Sequence, residues 1–230
     1  MLHVKLSKER EVFIMIKAVI FDLDGTVTDT LSTIAHFGNA ALIAHGFKAA
    51  PEAEYKYFAG NGKKVLIENM LKYNNVDDDE SFKKVEKTYD EFYDADPIGK
   101  TKPFDGIIPL VEKLHEKGIK TAINSNKPHD VLLMILDKLF PAGSFDKAYG
   151  QIDGIPHKPD PTLALRITEE LNVKPEECLF VGDTSVDMTT AKSAGMNAVG
   201  VLWGFRELEE LKSSGADYIV EKAEEILKLL

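Results

Sequence analysis

With 230 residues, 44% of them hydrophobic, the chain is long enough for one large domain or a domain carrying an insertion, and too apolar for a disordered segment. Its net charge of −10 argues against nucleic acid as a partner, because binding a phosphate backbone needs a basic surface. It leaves room for a small anionic substrate held by local charge. The single cysteine, Cys178, excludes an internal disulfide framework and fits a reducing cytoplasm. Lying in the apolar run Cys178-Leu179-Phe180-Val181, it reads as a core thiol.

No stretch reaches the roughly 18 apolar residues of a membrane span, so no membrane partner is expected. Residues 1–11 are mixed in charge, and the apolar run from Val12 leads into Asp22 with no small-residue cleavage site. Met15 stands where a domain could begin, so residues 1–15 read as an N-terminal extension or a misassigned start.

Residues 17–22 have the β-branched, apolar character of a buried parallel strand followed by a turn. A helical pattern runs over 31–46, and Pro51 is placed to open the next helix. Gly60-Asn61-Gly62 breaks the chain before Val65, Leu66, Ile67, Met70 and Leu71 recur at helical spacing. After the acidic stretch 77–80, Phe82, Val85, Tyr89 and Phe92 share one helical face. Residues 28–103 therefore predict a helical domain without strands, inserted after the first strand.

From Pro103 onward helices and strands alternate. Helices are predicted at 108–117, 128–139, 161–171, 187–194, 205–213 and 221–229. Strands are predicted at 119–123, 145–149, 178–181, 198–202 and 217–220. That alternation implies an α/β fold, a Rossmann-like doubly wound parallel sheet with helices on both faces. The domains are then 16–27 with 104–230 as the α/β core, and 28–103 as the α-helical insertion. Ligands of such sheets bind beyond the carboxyl ends of the strands.

The first strand ends in Asp22-Leu23-Asp24-Gly25-Thr26. Side chains at i and i+2 share one side of a strand, so Asp22 and Asp24 can face one site. Two carboxylates that close resist joint ionisation unless a cation joins them or one keeps a proton. A phosphate-handling site with a divalent metal meets both conditions, and Gly25 allows a sharp turn or close backbone approach to an anion. An acidic turn after a strand is the plainer alternative.

Three further segments fall at the same sheet edge: Asn124-Ser125-Asn126-Lys127, His157-Lys158-Pro159-Asp160-Pro161, and Gly182-Asp183-Thr184-Ser185-Val186-Asp187. Singly, Ser125-Asn126 could cap a helix, Lys158 could be solvated, and Asp183 and Asp187 could be a cap and a surface acid. Together they supply carboxylates, a hydroxyl, an amide and a lysine to one place.

In this set and order the four motifs resemble those of haloacid-dehalogenase-superfamily phosphatases over essentially all of 16–230. The resemblance implies Asp22 as nucleophile, Asp24 as general acid and base, Ser125 as the phosphoryl-binding hydroxyl and Lys158 as the charge-offsetting lysine. It implies Mg2+ held by Asp22, Asp183 and the Asp24 backbone carbonyl, with Asp187 binding directly or through water. Gly25, Thr26 and Asn126 fall with the substrate-binding backbone and side chains, and 28–103 matches the family's cap. Ser125 replaces the threonine often found there and keeps the hydroxyl.

Within the superfamily, Gly60-Asn61-Gly62-Lys63-Lys64-Val65-Leu66-Ile67-Glu68 and Gly200-Val201-Leu202-Trp203-Gly204-Phe205 are similar to stretches of phosphoglycolate phosphatases. That likeness implies hydrolysis of 2-phosphoglycolate, with Lys63 available for a substrate carboxylate. A plain helix connection, a solvated Lys63 and a packing role for Trp203 are the alternatives. Hydrolysis of a sugar phosphate or pyrophosphate, a β-phosphoglucomutase-like mutase and a non-catalytic binding protein stay open as functions. The partner expected is a small phosphorylated metabolite, for a cytoplasmic monomer or homodimer.

Overall fold

Six parallel strands carry the molecule. The structure, a computed structural model, describes residues 2–4 and 12–230, with side chains from Met15 onward. Of the expected extension 1–15, it describes a short hairpin, β1 (Leu2–Val4) antiparallel to β2 (Val12–Ile14); the remainder up to residue 14 lies outside the described residues.

Strand β3 (Ala18–Phe21) is buried at every position. The short strand β4 (Thr28–Asp29) follows, then helices α1 (Leu31–Ala44), α2 (Tyr55–Phe58), α3 (Gly62–Tyr73) and α4 (Asp79–Ala95), and strand β5 (Lys102–Pro103). The rest alternates: α5 (Ile107–Glu116), β6 (Lys120–Pro128), α6 (His129–Leu139), β7 (Lys147–Gln151), α7 (Thr162–Leu171), β8 (Cys178–Gly182), α8 (Ser185–Ala194), β9 (Asn197–Val201), α9 (Leu208–Ser213) and β10 (Tyr218–Val220). Two expectations are corrected. The region 28–103 does hold strands, because β4 and β5 pair antiparallel where the chain leaves and re-enters the core; two residues each are too short to show a period of two. The expected helix 221–229 is a run of 3-10 turns over Ala223–Leu229.

The sheet order is β10-β9-β8-β3-β6-β7, so β6 and β7 lie on one side of β3 and β8, β9 and β10 on the other. That reversal beside β3 is where an open α/β sheet leaves a crevice. Along β3, Val19 and Phe21 enter one core with Ile107, Leu110 and Leu114 of α5, while Ala18 and Ile20 enter another with Ala164, Ile167 and Ala191 of α7 and α8. Each fully buried aliphatic or aromatic side chain contributes about 1.5–3 kcal/mol. With both faces covered, the alternation one expects of a half-exposed strand disappears, which is why β3 and β8 read as continuous apolar runs.

Register places the site. Phe21 pairs with Ile123 on one side and Val181 on the other, so Asp22, Asn124 and Gly182 start level at the same edge. Beyond Asn124 the pairing of β6 with β7 shifts, from Asn124 opposite Tyr149 to Pro128 opposite Gln151. Ser125, Asn126 and Lys127 thus stand against Gly150 alone, a bulge, the device by which a strand re-aims side chains at a sheet edge.

The four helices between β4 and β5 bury a cluster of their own, including Ile34, Tyr55, Phe58, Ile67, Val85 and Tyr89. In α4 the buried positions are Val85, Tyr89 and Tyr93, one helical stripe, and Asp78 caps the helix by accepting from the Ser81 N–H at 2.8 Å. No described helix is long and apolar enough to cross a membrane. Cys178 is buried as expected, its thiol pushed up to about 12 by burial first and then by Glu177 and Glu176.

Candidate active site

Asp22 takes up the first position past β3, where its N–H donates to the Val181 carbonyl at 2.9 Å. Its carboxylate is 7% exposed and forms one group with Asp183 and Asp187, with ligand oxygens of all three within 4.8 Å of one another. Among the described residues these are the only acids so clustered. Asp24 is not among them: its side chain turns to the lysine of the β6 bulge.

Each acid of the cluster is held by its own partners. Asp183 accepts from Thr26 Oγ1 at 3.1 Å and from the Phe205 N–H at 2.7 Å. Asp187 stands in the first turn of α8, where one oxygen accepts from the Thr184 N–H at 3.0 Å and from Thr184 Oγ1 at 2.7 Å. Its other oxygen accepts from Lys158 Nζ at 2.6 Å. Lys158 Nζ also lies 2.9 Å from Asp22 Oδ1, so one ammonium pairs with both carboxylates.

Close backbone approach makes this packing possible. Gly25 has φ +85°, and a Cβ there would sit 2.3 Å from Asp183 Oδ2. A Cβ on Gly204 would lie 2.3 Å from the Asp183 Cβ and 2.5 Å from the Gly25 carbonyl. Only glycine fits at either place.

The electrostatics are those of a site short of positive charge. Burial first, opposed by Lys158 and reinforced by Asp187, pushes the Asp22 carboxyl up to about 7. Burial, Asp187 and Asp22 also hold Asp183 well above the carboxylate range, although the Phe205 N–H and Thr26 pull it down. Lys158 is drawn down by burial and more than restored by Asp187 and Asp22, so it stays protonated. Three buried carboxylates sharing one lysine fit a hard divalent cation bound through oxygen.

The second-motif residues line the way in. Ser125 is buried and its Oγ accepts from the Lys127 N–H at 3.3 Å. Asn126 ties the lysine loop in place, its Oδ1 accepting from the Lys158 N–H at 2.8 Å and its Nδ2 donating to the Lys158 carbonyl at 3.1 Å. Above them a cavity of about 260 Å3 opens between sheet edge and helices, lined by Asp22, Asp24, Ser125 and Asn126 below and by Lys63, Tyr89 and Tyr93 above. At about 30 Å3 per water it has room for a metabolite rather than a polymer. Gly25 and Thr26, expected to bind substrate, do not line this cavity and are turned to Asp183. Lys63 is in its wall, with Nζ 2.8 Å from Asp90 and 3.6 Å from Glu86.

One residue escaped the sequence reading. Lys127 Nζ lies 3.2 and 3.3 Å from the two Asp24 oxygens and donates to Tyr93 Oη at 3.4 Å, its ammonium 5.0 Å from the Tyr93 ring. Burial alone would lower its affinity for a proton; Asp24 and Tyr93 raise it beyond the ordinary lysine. Nothing in the local sequence marks it, because its partners come from the strand turn at 24 and helix α4.

A model of the family described as haloacid dehalogenase-like hydrolase matches residues 19–201, most of the chain and the motifs at Asp22, Ser125, Lys158 and Asp183. The chain belongs to that family. Among curated relatives, this hydrolase is 31% identical over 214 residues to the phosphoglycolate phosphatase of Aquifex aeolicus, covering 93% of this chain and 96% of the relative. It is 32% identical over 217 residues to a protein of Caldanaerobacter subterraneus provisionally named pyrophosphatase PpaX, covering 94% of each. Among solved structures, one from Lactobacillus delbrueckii, provisionally described as a phosphoglycolate phosphatase, superposes with a TM-score of 0.89 at 31% identity, over 94% of this hydrolase and 98% of that chain. The α/β, Rossmann-like fold, the superfamily and the character of an enzyme related to phosphoglycolate phosphatases thus stand together.

Proposed function

We propose that this hydrolase is a divalent-cation-dependent phosphomonoester hydrolase working through a phosphorylated Asp22, with 2-phosphoglycolate as substrate and glycolate and inorganic phosphate as products. The observation that carries the reading is Asp22, buried at the end of β3 and lining the cavity, its carboxylate grouped with Asp183 and Asp187 and 2.9 Å from Lys158. The phosphoglycolate phosphatase relatives support the substrate.

In this reading an Asp22 oxygen attacks phosphorus in line with the ester oxygen, forming an acyl phosphate as the ester bond breaks. Asp24 gives its proton to the departing alkoxide, then takes one from the water that attacks the acyl phosphate, so ester and water become alcohol and phosphate. Lys158, Ser125, Asn126 and nearby backbone N–H groups offset and orient the phosphoryl oxygens. Asp22, Asp183 and the Asp24 carbonyl would hold Mg2+, with Asp187 direct or through water, and the ion would add charge neutralisation at those oxygens. Gly25 and Thr26 serve the site by shaping and holding Asp183.

The same reading takes 28–103 as a cap on a core of 16–27 and 104–230, with 1–15 outside both, and places the protein in the cytoplasm with a small phosphorylated metabolite as its partner. The separate apolar cluster of the four helices supports the cap assignment. Lys63, in the cavity wall and paired with Asp90, is the residue that would meet the substrate carboxylate.

Phosphate release from a panel of phosphoesters, with and without Mg2+, tests the proposal, with Asp22→Asn as control. Metal-dependent preference for 2-phosphoglycolate, lost in the variant, is the expected result. An active Asp22→Asn enzyme would remove the covalent step. Preference for pyrophosphate would favour the second reading, which rests on the relative named as a pyrophosphatase.

A further inference from the structure

The chain after β9 touches both halves of the molecule within four residues. Trp203 donates from Nε1 to the Thr26 carbonyl at 2.9 Å, and Gly204 packs against Asp183 and Gly25. Phe205 then does two things at once. Its N–H donates to Asp183 Oδ2 at 2.7 Å, while its ring, 2% exposed, joins the apolar cluster of the inserted helices. Among the described buried members of that cluster it alone comes from outside residues 28–103.

Arg206 fastens the far end. Its guanidinium, on a residue 9% exposed, donates to the carbonyls of Lys56 and Ala59, the latter at 3.1 Å, at the carboxyl end of α2. Those carbonyls have no partner further along their own helix, and a buried planar cation that reaches two of them is a strong cap. Glu210 fixes the same guanidinium, with Nε 3.2 Å from its carboxylate, and the group lies 5.4 Å from the Tyr57 ring. From Ala59 the chain runs directly into the cavity wall at Gly60 and Gly62.

We propose that Arg206 is a positioning residue for the cation-binding carboxylate: by fixing the 203–206 loop to the end of α2, it holds the Phe205 N–H where Asp183 receives it. The physical case is one of rotational freedom. Asp183 has two described hydrogen-bond donors to its carboxylate, and the Thr26 hydroxyl can rotate, whereas a backbone N–H is aimed only by the loop that carries it. Without Arg206 the loop keeps Phe205 in the helical cluster but loses its bond to the α2 carbonyls. The Asp183 carboxylate then gains freedom that it must lose again on binding a cation. Outer partners that orient metal ligands are worth about 10–100-fold in metal affinity.

The proposal rests on the reading that Asp183 holds the cation, and the test separates the two. Mn2+ binding is followed in the substrate-free protein by the electron paramagnetic resonance of the free ion, for wild type, Asp183→Asn, Arg206→Ala and Arg206→Lys. Expected are near-complete loss in Asp183→Asn, about tenfold weaker binding in Arg206→Ala, and an intermediate value in Arg206→Lys, whose single ammonium cannot span both carbonyls and Glu210. Trp203, the only tryptophan, reports from the loop itself. Its emission should change on Mg2+ titration in wild type, and at correspondingly higher Mg2+ in the Arg206 variants. Wild-type Mn2+ affinity in folded Arg206→Ala overturns the proposal, whatever its melting temperature. If that variant does not fold, wild-type affinity in Arg206→Lys overturns it equally. Undiminished binding by Asp183→Asn would instead remove the cation assignment.

Discussion

Lys127 and Asp24 face each other with an ammonium between two carboxylate oxygens, and Tyr93 closes the third side. In the proposed mechanism Asp24 delivers a proton, and a lysine so placed orients its carboxylate toward the cavity. Orientation is the effect that a positioned acid cannot do without, since transfer needs hydrogen-bond reach. Lys127→Met should therefore lower kcat by about tenfold to a hundredfold, short of the roughly 10²–10⁴ that a general acid contributes. In an Asp24→Asn background the same substitution should cost little more, because the two side chains act as a unit. Steady-state kinetics of the two singles and the double variant check this; additive losses would mean that Lys127 works apart from Asp24. The pair also marks the limit of reading residues from sequence. Asp22, Asp183 and Asp187 were legible because each sits in a local pattern at a strand end or first helical turn. Lys127 looked like one more lysine after Asn126, and what sets it apart is a partner 103 positions away.

Helix α1 shows how packing overrules local preference. Gly38 stands in its interior, where alanine would favour the helix by about 0.8–1.0 kcal/mol. A Cβ there would sit 2.6 Å from the ring and hydroxyl oxygen of Tyr55, which is fully buried and donates to Asn39 at 3.0 Å. Overpacking a core costs about 1–3 kcal/mol, so Gly38→Ala should destabilise the protein despite the better helix former. Thermal unfolding measures the sign, and a raised midpoint would mean that Tyr55 yields freely. The other elements divide along the same line. Strands β3 and β8 were legible because burial on both faces makes them continuous apolar runs. Strand β6 was expected to end at Ile123 and continues to Pro128, since Asn124-Ser125-Asn126-Lys127 has loop composition and the strand is held across it by the pairing of Asn124 with Tyr149 and of Pro128 with Gln151. Strands β4 and β5 owe their pairing to where the helical segment leaves and rejoins the sheet, a tertiary fact with no local trace. The α4 stripe of Phe82, Val85, Tyr89 and Phe92 does pack on the helical cluster, but it left out Tyr93, which is buried there and reaches Lys127.

At the scale of the whole molecule, the acidic cluster makes folding depend on pH and on a cation together. A carboxyl whose folded pKa is raised binds its proton more tightly folded than unfolded, so folding is penalised once pH exceeds the unfolded value. For Asp22 those values are 3.8 and about 7, and Asp183 is displaced in the same direction. Without a cation, stability should therefore fall as pH rises from about 4 to about 7, the penalty being fully developed above the folded value. Lys158 does not cancel the trend, because it stays protonated throughout that window. A divalent cation reverses the sign of the local field: it favours the charged carboxylates and binds only the folded chain, adding about 2.7 kcal/mol when present at 100 times its Kd. The stabilisation by Mg2+ should accordingly grow with pH and be small near pH 4, where protons compete for the same oxygens. Calorimetric melting in EDTA and in saturating Mg2+, at steps from pH 4 to pH 8, measures both curves. Removing one charge, as in Asp183→Asn, should flatten the EDTA curve and abolish most of the Mg2+ increment. Parallel curves in EDTA and Mg2+ would mean that the buried acids do not meet the ion. In that event the charge that Lys158 leaves uncompensated would have to be neutralised by a proton, and the same carboxyl of Asp22 could not serve as an ionised nucleophile near neutral pH.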